Sequence, residues 1–225
     1  TALDRAAGRV QERFAKDPVL EAAMRQTIGT AYRDLGLINE AVSQWERARA
    51  LRLAALGPNH RDTLQTEYSM AISLRDRGRY AEAEKLLRDL IARNRASLGP
   101  ESHETLKSMR TLAAVFRSMS RYDEAAELQQ KVISILERVS GKEDPETLGV
   151  LNDYGVVLMF QTKYEEAAAI HERVYEARRR QLGEEHPSTL MSLHNRGMVR
   201  YSQQRNDEAG ELLEKVVASQ TRVLG

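Results

Sequence analysis

The chain has 225 residues, with 34 Lys or Arg against 33 Asp or Glu and a formal charge of +1. That balance leaves no net field to gather nucleic acid or an anionic membrane surface, and the lack of cysteine excludes disulfides and thiolate chemistry. Aromatic residues make up 5% and charged residues 30%, a mixture that suits exposed helices laced with ion pairs rather than strands.

No apolar run approaches the roughly 18–20 residues that span a bilayer. The longest, Tyr154 to Phe160, is far shorter. No signal peptide is read, and neither membrane contact nor nucleic-acid binding is expected. The chain starts inside a helical pattern and stops at a repeat boundary, so the expectation is a segment of a longer cytoplasmic protein.

In chain order, the leading stretch Ala2 to Phe14 has the apolar spacing of one helix, with Leu3, Ala7, Val10 and Phe14 on its inner face. It lines up with the second helix of a repeat whose first helix is missing, a half unit over residues 1–16. Five units follow, 17–57, 58–99, 100–141, 142–183 and 184–225, and the period is 42. Thr-Leu marks it at Thr63, Thr105, Thr147 and Thr189. Glycine marks it at Gly57, Gly99, Gly141, Gly183 and Gly225, and alanine at Ala41, Ala83, Ala125, Ala167 and Ala209. Unlinked columns that share one period define a repeat architecture.

Each unit reads as two helices, A then B. His60, Ser102, Asp144 and His186 precede the starts of helix A, where Ser or Asp oxygens accept from free N–H groups. Pro145 and Pro187 fall at the first helical position. Helix A ends near Gly36, Gly78 and Ser120, and helix B runs from the Glu-Ala phrase to Leu-Gly ends such as Leu98-Gly99. Two columns of small residues, Ala41 to Ala209 and the mid-helix set Gly29, Ala71, Ala113, Gly155 and Gly197, predict close A–B packing. Trp45 and most methionines are expected in the core. His171 and His194 lack a third metal ligand at suitable spacing. With no phosphate loop and no nucleophile elbow, the chain is read as a non-enzyme without cofactor or metal.

The fold class expected is all-α: a right-handed superhelical solenoid of antiparallel helix pairs, about eleven helices in one continuous domain. The small residue in helix A, the Glu-Ala turn and the alanine of helix B resemble the tetratricopeptide repeat. The joining phrases Leu56-Gly57-Pro58-Asn59-His60 and Leu182-Gly183-Glu184-Glu185-His186-Pro187 make the array similar to the longer repeats of kinesin light chain. A HEAT or armadillo solenoid is the alternative. The leading segment looks most like the first helix of arrays that follow bacterial serine/threonine kinase domains.

The resemblance implies that helix A lines a concave groove that binds a peptide. The groove columns are then Gln26, Tyr68, Arg110, Asn152 and His194, and Arg33, Arg75, Arg117, Met159 and Tyr201, with Lys107 and Asn195 beside them. The arginines suit acidic groups on a partner; alternatively they bridge acidic groups on neighbouring repeats, and Tyr68 packs between helices. The partner expected is a protein or peptide segment with acidic residues, in a bacterial signalling setting. A kinesin-light-chain-like cargo adaptor is a second possibility. A third is self-association through the array ends, where Leu213, Val216 and Val217 lack a covering unit.

Overall fold

The computed structural model describes residues 2–224, with side chains described through residue 222. Thr1 and Gly225, the last of the glycine column, lie outside the described residues. Among the described residues there are eleven helices and no strand: α1 (Ala2–Phe14), α2 (Pro18–Asp34), α3 (Ile38–Leu56), α4 (Arg61–Asp76), α5 (Tyr80–Leu98), α6 (His103–Ser118), α7 (Tyr122–Val139), α8 (Pro145–Phe160), α9 (Tyr164–Leu182), α10 (Pro187–Ser202) and α11 (Asn206–Leu224). Even-numbered helices are the A helices and odd-numbered ones the B helices. The chain forms two compact units, residues 1–115 and 116–225.

Each A helix starts at a side-chain cap. Asp17 accepts from the Leu20 N–H at 3.0 Å and Asp144 from that of Glu146 at 2.8 Å. Ser102 accepts from the Thr105 N–H at 3.3 Å. Imidazoles do the same work, His60 Nδ1 accepting from Asp62 at 3.2 Å and His186 Nδ1 from Ser188 at 3.1 Å. The first A helix begins at Pro18, where the Asp17 cap and Pro18 fix its first turn. The A helices end in a left-handed residue. Gly36 and Gly78 take it without strain, but the same column continues as Ser120, Thr162 and Gln204, at φ of 58°, 60° and 62°.

The Thr-Leu signature has a direct physical reason. In two units the threonine hydroxyl donates to the carbonyl of the glycine that ends the preceding B helix, Thr63 to Gly57 and Thr105 to Gly99, both at 2.9 Å, whereas the Thr147 and Thr189 hydroxyls are buried in the same column with no hydrogen-bond partner among the described residues. The leucine that follows is buried in all four units that carry the pair. Within each A–B pair, the small mid-helix column faces one large B-helix side chain. A Cβ on Gly29 would lie 2.5 Å from Trp45 Nε1, and one on Gly155 would lie 2.7 Å from the His171 ring. The facing columns are complementary in size: Gly29 with Trp45, Ala71 with Leu87, Gly155 with His171, Gly197 with Leu213.

A second periodic contact ties a B helix to the next A helix. Arg52 donates to the Asp62 carbonyl at 2.9 Å and to Thr66 Oγ1 at 2.5 Å. Asn94 reaches the Glu104 carbonyl and Ser108 Oγ at 3.3 and 3.4 Å. Arg178 reaches the Ser188 carbonyl and Ser192 Oγ at 3.1 and 2.9 Å. Where the first column becomes Leu136, the second becomes Val150, and both are buried. The pair is therefore polar with polar or apolar with apolar, as the cost of an unpartnered buried polar group requires. Sequence reading passed over these columns because Arg, Asn and Leu share no visible character.

At α11, the expectation that Leu213, Val216 and Val217 are all uncovered needs correction. Val216 is buried and Leu213 is half-buried against Gly197, since both face the helix of their own pair; Val217 is 61% exposed. Among the described residues no helix is long and apolar enough to cross a membrane.

Candidate functional site

Six of the expected groove residues lie in residues 1–115. Gln26, on α2, donates through Nε2 to Ser69 Oγ on α4 at 3.1 Å, and its carbonyl accepts the Trp45 N–H at 3.3 Å. Tyr68, on α4, shares a 2.9 Å hydrogen bond with Thr111 on α6. Lys107 sets its ammonium 4.5 Å from the centroid of the Tyr68 ring, a cation–π contact worth about 0.5–1 kcal/mol where partly exposed. The two line a cleft between α4 and α6 with Arg61, Leu64, Gln65 and Leu98. Arg110 stands half-buried on α6.

Arg33 and Arg75 form neither of the expected contacts with neighbouring repeats. Each forks onto the carboxylate that follows it, Arg33 onto Asp34 at 2.9 Å and Arg75 onto Asp76 at 2.7 Å. The guanidiniums are neutralised locally and stay half-exposed, so a ligand carboxylate would compete with an aspartate already in place.

The other six lie in residues 116–225. Arg117 ends α6 exposed, and the residue after it is Ser118 rather than a carboxylate. Asn152 is buried, and its Oδ1 accepts from Asn195 Nδ2 on the next A helix at 2.8 Å. Met159 is half-buried, while His194 and Tyr201 are exposed. The polar ends of Gln26, Tyr68 and Asn152 thus serve as rungs between successive A helices. What remains open on those faces is Lys107 with the ring of Tyr68, then Arg117, Met159, His194 and Tyr201.

Among the described residues, Glu21, Arg25, Arg52, Glu67 and His171 are buried charged or titratable groups. Glu67 is fully buried on α4, held by Arg49 at 2.6 Å and by Arg93. His171, also fully buried on α9, packs on Gly155 with neither ring nitrogen hydrogen-bonded. Burial, and secondarily the charge of Arg178, pushes its pKa down to about 4. Among the described residues no group of three or more His, Asp or Glu is placed to hold a metal.

His171 makes stability pH-dependent. Unfolded, it titrates near 6.5; folded, near 4. Between these values the unfolded chain binds a proton that the folded chain does not, so stability present above about pH 6.5 is lost as pH falls. At about 1.36 kcal/mol per unit, the loss from pH 7 to pH 5 is about 2 kcal/mol. His171→Leu, which repeats the leucine that faces glycine at Gly197, removes that slope. Urea melts of both proteins at pH 7 and pH 5 check it; parallel losses overturn the assignment.

The sequence profile of the tetratricopeptide repeat family matches residues 20–95, 62–138 and 146–222. The structure is similar to a putative kinesin light chain of Podosopora anserina with nearly identical TPR-like repeats, at 27% identity and a TM-score of 0.76, covering 88% of this chain and 94% of that one. Two further likenesses are of fold alone. BtubC (BKLC) of P. vanneervenii has 16% identity and a TM-score of 0.81 over 100% of this chain and 90% of that one. Aspartyl phosphate phosphatase F of Bacillus subtilis has 16% identity and a TM-score of 0.78 over 96% of this chain and 55% of that one. No curated protein matches the chain.

Proposed function

The chain belongs to the tetratricopeptide repeat family, a family of helical-repeat scaffolds for protein interaction, and from that premise we propose that it holds an extended acidic segment of a partner protein along its helix-A faces and carries out no chemistry itself. The observation that carries this reading is the α4–α6 cleft. There the Lys107 ammonium lies 4.5 Å from the Tyr68 ring centroid, while the Tyr68 hydroxyl is pinned by Thr111. A cation and an aromatic face held rigid before binding lose little entropy on capture. A carboxylate of the ligand pairs with Lys107, and an adjoining apolar side chain lies on Leu64 and Leu98. The setting we favour is a regulatory segment of a cytoplasmic bacterial signalling protein. A cargo adaptor is the other reading, favoured by the 27% identity to a putative kinesin light chain. A kinase or nucleotide-switch domain in the same reading frame separates the two.

The test is fluorescence anisotropy with a labelled dodecapeptide of alternating Glu and Leu, and a Lys–Leu counterpart as control. Lys107→Glu should weaken capture of the acidic peptide at least about tenfold, the scale of one lost charge-assisted contact, with a melting temperature lowered by no more than about 4 °C, the cost of the lost cation–π contact. Equal binding of both peptides, or of both proteins, overturns the proposal.

A further inference from the structure

The column that ties each B helix to the next A helix changes length at one place. Arg52 reaches α4, its Nη1 donating to the Asp62 carbonyl, to Thr66 Oγ1 and, at 3.5 Å, to Gln26 Oε1. Arg178 reaches the matching carbonyl and hydroxyl on α10, and the Leu136 and Val150 pair is apolar and buried. Asn94 holds the same position with a shorter side chain. The α4–α6 cleft lies where a guanidinium stands in the units of Arg52 and Arg178, and Asn94 lines it with Tyr68, Glu104, Lys107 and Ser108.

Asn94 is 3% exposed. Its Nδ2 donates to the Glu104 carbonyl at 3.3 Å, which fixes the orientation of the amide, and its Oδ1 has no hydrogen-bond partner among the described residues. A buried acceptor without a donor is a cost that the free protein already carries, so a ligand that brings a donor relieves it. The neighbours narrow the chemistry of that donor. A carboxylate has no proton to give. An ammonium or guanidinium would come up against Lys107 and Arg61, and Glu104, the carboxylate that lines the cleft, is held by Arg61 at 3.7 Å. A carboxamide suits both sides. Its N–H donates to Asn94 Oδ1 and its oxygen accepts from the Lys107 ammonium, whose three protons also serve an adjoining carboxylate.

Resting on the reading that this cleft captures an acidic segment, we infer that the segment also carries a glutamine or asparagine whose carboxamide pairs with Asn94. The partner is thereby recognised by an amide beside its acidic residues. A site that holds a polar atom ready for one donor discriminates against an isostere that lacks it.

The test uses the 225-residue chain and the labelled Glu–Leu dodecapeptide with one central Leu replaced by Gln, Met, Ser or Lys. Fluorescence anisotropy should show the Gln peptide bound at least about fivefold more tightly than the Met peptide, which has nearly the same shape and no amide. Asn94→Arg copies the Arg178 and Ser192 pair and fills the cleft floor, so it should bind the Gln and Met peptides equally. Asn94→Leu with Ser108→Val copies the Leu136 and Val150 pair and should give the same result if the arginine variant loses its native circular dichroism. Equal binding of the Gln and Met peptides by the native protein overturns the inference, as does a Gln preference that survives in a folded variant. Tighter capture of the Ser or Lys peptide than of the Gln peptide also overturns it, by assigning the acceptor to a different donor. These three results leave the acidic-segment reading in place; failure to capture any of the acidic peptides overturns both.

Discussion

Glu67→Ala should lower stability by about 3–5 kcal/mol, the cost of leaving a buried charge network without its counter-ion. Glu67 sits on α4 in a column that reads Arg25, Glu67, Met109, Leu151 and Leu193. It is fully buried between Arg49 and Arg93. Arg93 is further fixed by Asp89 at 2.6 Å and by the Pro58 carbonyl at 2.9 Å, so it cannot simply turn into water. Glu67→Met keeps the volume and should still destabilise, because Arg49 loses Glu67 and Arg93, its side chain only 17% exposed, is left with Asp89 alone as counter-ion. Replacing all three, Glu67→Met with Arg49→Ile and Arg93→Ile, copies the apolar residues of equivalent positions and should restore native stability or exceed it. Trp45, the single tryptophan and wholly buried in the same compact unit of residues 1–115, reports the transition in urea. If Glu67→Met alone is neutral, the network contributes nothing and the account fails.

The second large effect is expected at Gly29. Alanine there gains about 1 kcal/mol of helix propensity, yet its Cβ would stand 2.5 Å from Trp45 Nε1 and 2.8 Å from Cδ1. The indole has no room to retreat: it is fully buried and its N–H is bound to the Gln26 carbonyl at 3.3 Å. Overpacking of this kind costs up to about 3 kcal/mol, so Gly29→Ala should be a net loss of about 2 kcal/mol. Adding Trp45→Leu converts the pair into the Ala71–Leu87 combination found one repeat later. The double variant should therefore lose less than the two single losses together, with a coupling of about 2 kcal/mol. Thermal unfolding followed by circular dichroism measures it, and strict additivity would show that the two residues do not constrain each other.

Both cases mark the boundary of what the columns disclose. The glycine and alanine of the mid-helix column announce close packing, since a small residue recurring at one helical position has few other uses. Their partners Trp45, Leu87, His171 and Leu213 share no chemistry, so they are found only by looking across the interface. The Arg52, Asn94, Leu136 and Arg178 column hides for the same reason: its members match their opposite numbers, not one another. Among candidate binding residues, sequence placed Gln26, Tyr68 and Asn152 on helix A but left open that their polar ends are consumed as rungs by Ser69, Thr111 and Asn195. The Arg33-Asp34 and Arg75-Asp76 pairs were legible as neighbours, yet which carboxylate each arginine takes depends on rotamers.

The sequence by itself determined the repeat: its 42-residue period, the all-helical class, the caps and the turns. These are local properties. Backbone N–H groups need caps, left-handed residues end helices, and apolar spacing fixes which stripe turns inward, all within a few residues of chain. The tertiary structure alone decided which charges are buried, which rungs are filled and which faces stay open. Those outcomes rest on contacts between residues up to 43 positions apart, where size and polarity are satisfied pair by pair and no single column carries the answer.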